Sequence, residues 1–253
     1  MIAKEMISAL ARKYQTREFP NITREYFQHL FLSELYNLPG AEKMLFKGGT
    51  ALRIIYGSPR FSEDLDFSLS NVLEISIKEF TENLFINVLT KIGQAGAKVE
   101  LKEANITSGG YFGIATFEIE EYPSVSVEIN ISSRNSAEGA TLEADSIASD
   151  FVPTYTILHL PKQEIVEEKI FSALLQRKKE RDFYDLYFML RKGMVAVEQK
   201  KRLAEIRNEI LQWAAEKDFR GELSALLPSD QQAIIADFKR ALADELMRQI
   251  ADI

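Results

Sequence analysis

Period-two alternation of apolar and polar residues is confined to the part of the chain before residue 160. From Pro161 onward, apolar residues recur almost throughout at intervals of three and four. Alternation places successive side chains on opposite faces of a strand, whereas the longer intervals place them along one face of a helix. The sequence therefore predicts an α+β chain of two domains, in which residues 1–160 hold a sheet with flanking helices and residues 161–253 form a helical bundle.

The individual elements can be assigned from these periods and from the glycine and proline residues that separate them. Six segments have the pattern of strands: 43–49, 62–70, 97–103, 111–120, 124–132 and 154–161. Helical periodicity before residue 160 covers three segments: 21–38, 50–57 and 75–93. Beyond that point it covers four more: 162–178, 181–193, 197–217 and 230–253.

The composition excludes several classes of site. The 253 residues include no cysteine and two histidines, so thiolate chemistry, zinc sites and a Ser-His-Asp hydrolase are poorly supported, and any metal must be held by oxygen ligands. The absence of cysteine suits a reducing compartment, and we expect a cytoplasmic protein. No signal-peptide pattern begins the sequence and no uncharged run is long enough for a membrane span, so no membrane association is expected.

Two aspartates in the segment "SEDLDFSLS" have a spacing suited to metal binding. Asp64 and Asp66 are two residues apart on a predicted strand, so both point to one face, with Cβ atoms roughly 6–7 Å apart. Like charges at that distance repel unless a cation lies between them, and Mg²⁺ or Mn²⁺ prefers oxygen ligands. Glu128, on the polar face of the predicted strand 124–132, could add a third carboxylate. The alternative is that these side chains simply face solvent.

The stretch Lys47-Gly48-Gly49-Thr50 lies where a predicted strand gives way to a predicted helix. Amides in the first turn of a helix favour a phosphate, and glycines let the backbone approach it closely. The stretch is not a P-loop, because the lysine precedes the glycines and the remaining motif is absent. A phosphate cradle is one interpretation, and an ordinary tight turn is the other.

These motifs together resemble the AbiEii/AbiGii-type nucleotidyltransferases, toxin components of bacterial toxin–antitoxin and phage-defence systems related to the DNA polymerase β superfamily. The resemblance rests on "KGGT", on "ALRIIYGSPRFSEDLDF" and on "EEKIFSALLQRKKERDFYDLYFML", and it extends over residues 22–192. It implies a nucleotidyltransferase-type mixed β-sheet with flanking helices, binding a nucleoside triphosphate with Mg²⁺, followed by a helical bundle that supplies further site residues.

The resemblance also implies roles for particular residues. Catalysis would depend on Asp64 and Asp66 as metal ligands, with Glu128 in the position of a third, and on Lys169 and Asp185 in the helical part. Nucleotide binding would involve the residues Lys47, Gly48, Gly49, Thr50, Arg60, Ser62, Arg181 and Asp182. For Arg60 and Ser62 a simple turn of the chain is an equal alternative. For Lys169 and Asp185 the alternative is a solvated helix turn with ion pairs inside each helix.

The acceptor implied by the resemblance is RNA, with a tRNA 3′ end as the favourite, and a separate antitoxin is the implied protein partner. The formal net charge is −7 and the acidic excess lies in residues 1–160, so RNA would be held mainly by the later part of the chain, where residues 177–181 form a basic cluster. Three alternatives stay open: nucleotide transfer to a protein, a catalytically silent nucleotide- or partner-binding module, and a metal-dependent nuclease.

Overall fold

The computed structural model describes residues 4–107, 109–119, 122–133 and 142–250. The chain divides into two compact units. The first unit contains Met1–Gly57 and Phe61–Leu160, and the second contains Ser58–Arg60 and Pro161–Ile253. No pattern in the sequence indicated that the short segment Ser58–Arg60 belongs with the helical residues.

Within the described residues, the first unit is built on a seven-stranded sheet with the order β3-β4-β5-β2-β1-β7-β6. The strands have these bounds: β1 Met44–Lys47, β2 Leu65–Leu69, β3 Lys98–Thr107, β4 Gly110–Glu118, β5 Val125–Ser132, β6 Glu143–Ile147 and β7 Tyr155–His159. Strand β2 runs antiparallel to β1 and parallel to β5, and β1 runs parallel to β7. The mixed sheet with flanking helices that the resemblance implied is confirmed.

The six predicted strands are confirmed, with two differences. Strand β3 continues to Thr107, beyond the predicted end at residue 103. Strand β6 was missed: four of its five residues are exposed, so the sequence there carries no alternation of apolar and polar positions. An edge strand of this kind is specified by its backbone pairing with β7 rather than by burial of one face.

The helices of the first unit begin and end near their predicted limits, with an additional N-terminal helix. Their bounds are α1 Lys4–Lys13, α2 Thr23–Leu35, α3 Gly48–Ile54 and α4 Ile77–Gln94. A kinked segment, Glu18–Ile22, in which Phe19 has an extended backbone, precedes α2, and 3₁₀ turns occur at Ala41–Lys43 and Glu74–Ser76.

One face of the sheet is covered by α2 and α4. The ring of Phe27 in α2 stacks on Phe117 of β4 with centroids 4.5 Å apart, and Phe85 of α4 lies edge-on to Tyr111, 5.9 Å away. Leu65 and Phe67 of β2 point to this same face and are completely buried. Since side chains alternate along a strand, Asp66 is directed to the opposite face.

From Pro161 onward the described part of the second unit consists of helices joined by short connections. Its helices are α5 Lys162–Glu167, a π-helical segment Glu168–Leu174, α6 Leu175–Arg177, α7 Glu180–Arg191, α8 Val197–Ala215, α9 Arg220–Leu226, a 3₁₀ turn Ser229–Gln231, α10 Ala233–Ala236 and α11 Phe238–Ile250. The buried ring of Phe238 packs against two others, with centroid distances of 4.6 Å to Phe219 and 5.9 Å to Tyr184. Among the helices described, none has the length and apolar composition that a membrane span requires.

We expect replacement of Phe67 by alanine to destabilise the first unit by about 3–5 kcal/mol, because it leaves a cavity beneath β2. Phe67 is completely buried, and its ring lies 5.6 Å from that of Phe46. Urea denaturation followed by circular dichroism measures the change. The control is Ser126→Ala, an exposed position on β5 that we expect to change stability by less than about 0.5 kcal/mol. Equal effects of the two substitutions would contradict this description of the core.

Candidate functional site

The turn between β1 and α3 depends on glycine at its first position. Lys47 ends β1 with an extended backbone, and Gly48 then adopts φ of +85°, in the left-handed region that glycine enters at little cost. Thr50, in the first turn of α3, is almost fully buried, and its hydroxyl donates a hydrogen bond to the carbonyl oxygen of Asp64. The strand-turn-helix arrangement predicted for "KGGT" is therefore present, and Thr50 joins it to the chain entering β2.

The Asp66 carboxylate lies directly against the backbone of Gly48. A Cβ atom placed on Gly48 would be 2.0 Å from Asp66 Oδ2 and 2.8 Å from Asp66 Cβ, so no larger residue fits there without displacing the aspartate. The cause is strand register, because Lys47 pairs with Asp66 across the antiparallel β1–β2 ladder and Gly48 follows at once. The glycine turn and the second aspartate of the D-x-D motif thus form one contiguous site.

A row of side chains crosses the sheet at the level of Asp66. The strand registers align Lys47 with Asp66, Asp66 with Asn130, and Asn130 with Phe112. The amide Nδ2 of Asn130 donates a hydrogen bond of 3.3 Å to Asp66 Oδ1. Beside this row lies a cavity of about 350 Å³. Its lining comes from five strands and the β3–β4 turn: Lys47, Asp66, Phe67, Thr107, Gly109, Tyr111, Phe112, Asn130, Ile131 and Ser132.

The three carboxylates expected to bind metal are placed differently from one another. Asp64 immediately precedes β2 and is partly exposed, as is Asp66. Glu128 is exposed on β5, and the register aligns the residue that follows it with Leu65. Within residues 4–107, 109–119, 122–133 and 142–250, no three acidic or histidine side chains form a group able to hold a metal ion. A three-carboxylate centre that includes Glu128 stays a prediction.

The donor atoms at Asp64 and Asp66 nevertheless suit a divalent cation. Both side chains offer carboxylate oxygens, the ligands that Mg²⁺ and Mn²⁺ prefer. Both are partly exposed at the entrance to β2, so a hydrated ion can reach them. Mg²⁺ commonly keeps several water ligands and uses one or two protein carboxylates together with substrate phosphates. Two aspartates next to a glycine turn fit that pattern.

In the second unit, Asp185 is the centre of a buried ionic cluster. Its two carboxylate oxygens accept hydrogen bonds from Arg60 at 2.9 and 3.1 Å and from Lys169 Nζ at 2.9 Å. Burial opposes the charge on Asp185, but the two cations outweigh it and hold the pKa of Asp185 below its ordinary value. For Arg60 burial also opposes the charge, and the Asp185 carboxylate outweighs it and raises the pKa of Arg60.

The remaining predicted residues have other partners. Asp182 is buried and accepts hydrogen bonds from Arg177 at 2.6 Å and from the Lys179 amide at 3.1 Å, so it caps the start of α7. The backbone amide of Arg181 donates to Glu222 at 2.9 Å, and its guanidinium lies 3.5 Å from the same carboxylate. In the first unit, the carbonyl oxygen of Ser62 accepts a 3.0 Å hydrogen bond from Gln28.

The predicted site residues therefore fall into two groups that the structure brings together. One contains Lys47, Gly48 and Asp66, and the other contains Arg60, Lys169 and Asp185. The sequence analysis did not select Asn130 and Phe112. Asn130 could have been found from its position on the polar face of β5, whereas the place of Phe112 depends on the β4–β5 register, for which no local signal exists.

A family model matches most of the chain. The model described as "Nucleotidyl transferase AbiEii toxin, Type IV TA system" matches residues 30–252. The match includes both groups of site residues and extends past residue 192, where the resemblance read from the sequence ended. No curated protein sequence matches the chain significantly.

Two solved structures have a similar fold. MenT4, a nucleotidyltransferase toxin of Mycobacterium tuberculosis H37Rv, is similar with a TM-score of 0.65 at 15% identity, over 100% of this chain and 91% of that one. JHP933 from Helicobacter pylori is similar with a TM-score of 0.64 at 19% identity, over 92% of this chain and 93% of that one. At these identities the similarity establishes the fold.

Gly48→Ala is expected to destabilise the first unit more than Gly57→Ala does. Both residues have positive φ, of 85° and 75°, and alanine in that region costs roughly 1–2 kcal/mol. A Cβ at Gly57 meets nothing within 4 Å, whereas at Gly48 it overlaps the Asp66 carboxylate. Urea denaturation of the two variants measures the difference. Equal losses of stability would mean that Asp66 moves away from Gly48 at no cost.

Asp185→Asn is expected to lower the free energy of unfolding at neutral pH by about 3–5 kcal/mol, because it leaves Arg60 and Lys169 without their carboxylate. The folded-state pKa of Asp185 is below its unfolded value, so its contribution is complete above the unfolded pKa of about 3.9 and is lost as the pH falls through the folded pKa.

The difference in the free energy of unfolding between wild type and Asp185→Asn should therefore become smaller below about pH 4. Denaturation curves between pH 3 and pH 8 measure it, with the exposed Asp244→Asn on α11 as the control for removal of one charge. A difference in the free energy of unfolding that is equally large at pH 3 and pH 7 would contradict this prediction.

Proposed function

The chain belongs to the AbiEii family of nucleotidyltransferase toxins of type IV toxin–antitoxin systems, and from this premise we propose what it transfers and to what. In this proposal the enzyme takes a nucleotide from a nucleoside triphosphate and joins it to the 3′ end of an RNA, with tRNA as the preferred acceptor. A divalent cation, Mg²⁺ or Mn²⁺, is bound by Asp64 and Asp66, and pyrophosphate is the leaving group.

The observation that carries the proposal is the contact between Asp66 and the glycine turn. A carboxylate that binds a cation and a backbone turn that binds phosphate must be neighbours if the cation is to bridge them. Here Asp66 Oδ2 is 2.0 Å from the position that a Cβ of Gly48 would take, and Lys47 is the cross-strand partner of Asp66. This supports a nucleotide whose phosphates lie over Gly48 and Gly49 and reach the metal-binding aspartates.

Each residue of this group then has a defined task. The amides of the first turn of α3, at Gly48, Gly49 and Thr50, are suited to donate hydrogen bonds to the phosphate oxygens, and the ammonium group of Lys47 offsets the charge of those oxygens. The Thr50 hydroxyl holds the carbonyl of Asp64, which fixes the turn to the chain that carries the aspartates. Asn130 orients the Asp66 carboxylate through its 3.3 Å hydrogen bond.

A cation at Asp64 and Asp66 would neutralise developing charge on the phosphates and lower the pKa of the attacking hydroxyl. Glu128, exposed on β5, is the proposed third ligand, recruited when nucleotide binds. In the second unit Asp185 holds Lys169 and Arg60 in place by hydrogen bonds of 2.9 Å. The catalytic roles that the family resemblance implies for Lys169, Asp185, Arg181 and Asp182 stay predictions.

The biological setting is also part of the proposal. Family membership supports a cognate antitoxin as the partner that restrains the enzyme, and the absence of cysteine is consistent with the reducing cytoplasm. RNA is favoured over protein as acceptor by the cavity beside Asp66, which is wide enough for a nucleoside and has aromatic and hydroxyl-bearing walls.

The direct test is incubation of the protein with Mg²⁺, total tRNA and each α-³²P-labelled nucleoside triphosphate in turn. We expect label in RNA, and Asp66→Asn should reduce its rate by more than about a hundredfold, because the bound cation supplies several kcal/mol of charge stabilisation in the transition state. Chelation of Mg²⁺ should have the same effect. Mass spectrometry of the RNA identifies the nucleotide added and its position.

The control is Glu100→Gln, which removes one exposed carboxylate from β3 without altering the glycine turn, and we expect it to retain wild-type activity. Label appearing in protein instead of RNA would show that the acceptor is a protein and would overturn the RNA acceptor of this proposal. Shortened RNA without added mass would indicate a nuclease. The proposal fails if neither RNA nor protein gains a nucleotide from any of the four triphosphates.

A further inference from the structure

The cavity beside Asp66 extends across the sheet on the side away from the glycine turn. Gly48 follows β1, whereas the far wall of the cavity comes from β5, β4 and β3, beyond β2 in the strand order. Asp66 therefore stands between the two. The proposed nucleotide occupies the β1 side, and the 350 Å³ cavity on the other side has no assigned occupant.

The geometry of phosphoryl transfer indicates what enters this cavity. The attacking oxygen and the leaving oxygen lie roughly in line on opposite sides of the phosphorus. If the glycine turn holds the phosphates that leave as pyrophosphate, the α-phosphorus lies near Asp66 and the acceptor hydroxyl approaches from the β5 side. The cavity is thus placed for the acceptor rather than for the leaving group.

One aromatic ring of the cavity lining lies on the face of the sheet from which the acceptor hydroxyl would approach. Phe112 is partly exposed, and its register with Asn130 places it on the Asp66 face, two strands from Asp66 and so roughly 10 Å away. The neighbouring Tyr111 points to the other face, where its ring contacts Phe85 of α4. An aromatic side chain roughly 10 Å from Asp66 is suited to stack on a base that lies one nucleoside length from the reacting phosphorus.

The polar atoms of the cavity complete a nucleoside site. Asn130, Ser132 and Thr107 line it with an amide and two hydroxyl groups, which can bond a ribose 2′-hydroxyl or the edge of a base. The charged lining residues are Lys47 and Asp66, both at the end nearest the glycine turn. The far end is therefore neutral, which suits a base and a ribose better than a run of phosphates.

We propose that this cavity binds the 3′-terminal nucleoside of a single-stranded RNA acceptor, with its base stacked on Phe112. The inference rests on the proposed function. In the reaction, the 3′ oxygen donates an electron pair to the α-phosphorus, and the bond from that phosphorus to the bridging oxygen breaks. Pyrophosphate leaves with the two electrons of the broken bond, and the hydroxyl proton passes to solvent. Phe112 acts by positioning the acceptor.

The first test is steady-state kinetics of Phe112→Ala, Phe112→Trp and Phe112→Leu with a single-stranded RNA acceptor. Loss of one base–aromatic stack should raise the KM for RNA about five- to one-hundred-fold in the alanine variant, with the KM for the nucleoside triphosphate unchanged. Tryptophan should restore the RNA KM and leucine should not. The matched control is Ile114→Ala, on the same face of β4 but outside the cavity, which should resemble wild type.

A second measurement uses binding alone, without a nucleoside triphosphate. A short single-stranded RNA with 2-aminopurine at its 3′ end should lose fluorescence on binding the wild type, because the base stacks, and should retain it with Phe112→Ala. RNA with the probe at an internal position should show no loss. Thermal denaturation of each variant confirms that it is folded.

The outcomes separate the two proposals. The inference is overturned if wild type labels RNA but Phe112→Ala leaves the RNA KM unchanged, if the triphosphate KM rises instead, or if leucine restores binding as well as tryptophan does. Absence of labelled RNA with every triphosphate is a failure of the proposed function, and the probe RNA then still reports whether the cavity stacks a terminal base. An unquenched terminal probe on wild type contradicts the inference in either case.

Discussion

The close approach of the Asp66 carboxylate to the backbone of Gly48 is the constraint on which the candidate site depends. It requires glycine at position 48 for two separate reasons, a left-handed φ and the space that a Cβ would fill. It also requires the antiparallel register that sets Lys47 opposite Asp66. Because both requirements are met, the glycine turn proposed to bind phosphate is in contact with the carboxylate proposed to bind the cation.

The rest of the first unit holds these groups in place. Leu65 and Phe67, on either side of Asp66, are buried beneath the helices that cover the other face of the sheet, so β2 cannot rotate without exposing them. The Thr50 hydroxyl ties α3 to the residue before β2. The apolar residues interleaved with the aspartates therefore fix the direction in which the carboxylates point, and the sheet extends that polar face into a cavity.

Local patterns in the sequence predicted most of the strands and helices. For the candidate site they predicted which face of its strand Asp66 occupies, but not which residues of other strands lie beside it. Alternation identified four of the seven described strands, and two more were assigned from short apolar segments, whereas β6 was missed because its exposed residues show no alternation. The D-x-D spacing placed Asp66 on the polar face of its strand. The contact with Gly48 could not be predicted, because it follows from the register of two strands joined by a helix and a loop. The same limit applies to Asn130 and Phe112, whose neighbours lie on other strands.

Long-range ion pairs could not be predicted from the sequence, because their partners are far apart along the chain. Arg60 and Asp185 are 125 residues apart, and charge alone does not indicate which cation a given carboxylate will bind. The sequence suggested phosphate binding for Arg60, whereas the structure places its guanidinium in a buried bidentate pair. Such a pair is costly to break, which makes Asp185 a structural centre of the second unit whatever its part in catalysis.

The central claim, that the glycine turn and Asp66 form one nucleotide site, is tested most directly by the affinity for a non-reacting nucleotide. The measurement is the dissociation constant of the α,β-methylene analogue of each of the four triphosphates with Mg²⁺, by calorimetry, for wild type, Gly48→Ala and Gly57→Ala. We expect Gly48→Ala to weaken binding of the preferred analogue by roughly tenfold or more, and Gly57→Ala to leave it unchanged. Wild-type affinity in a folded Gly48→Ala variant would contradict it.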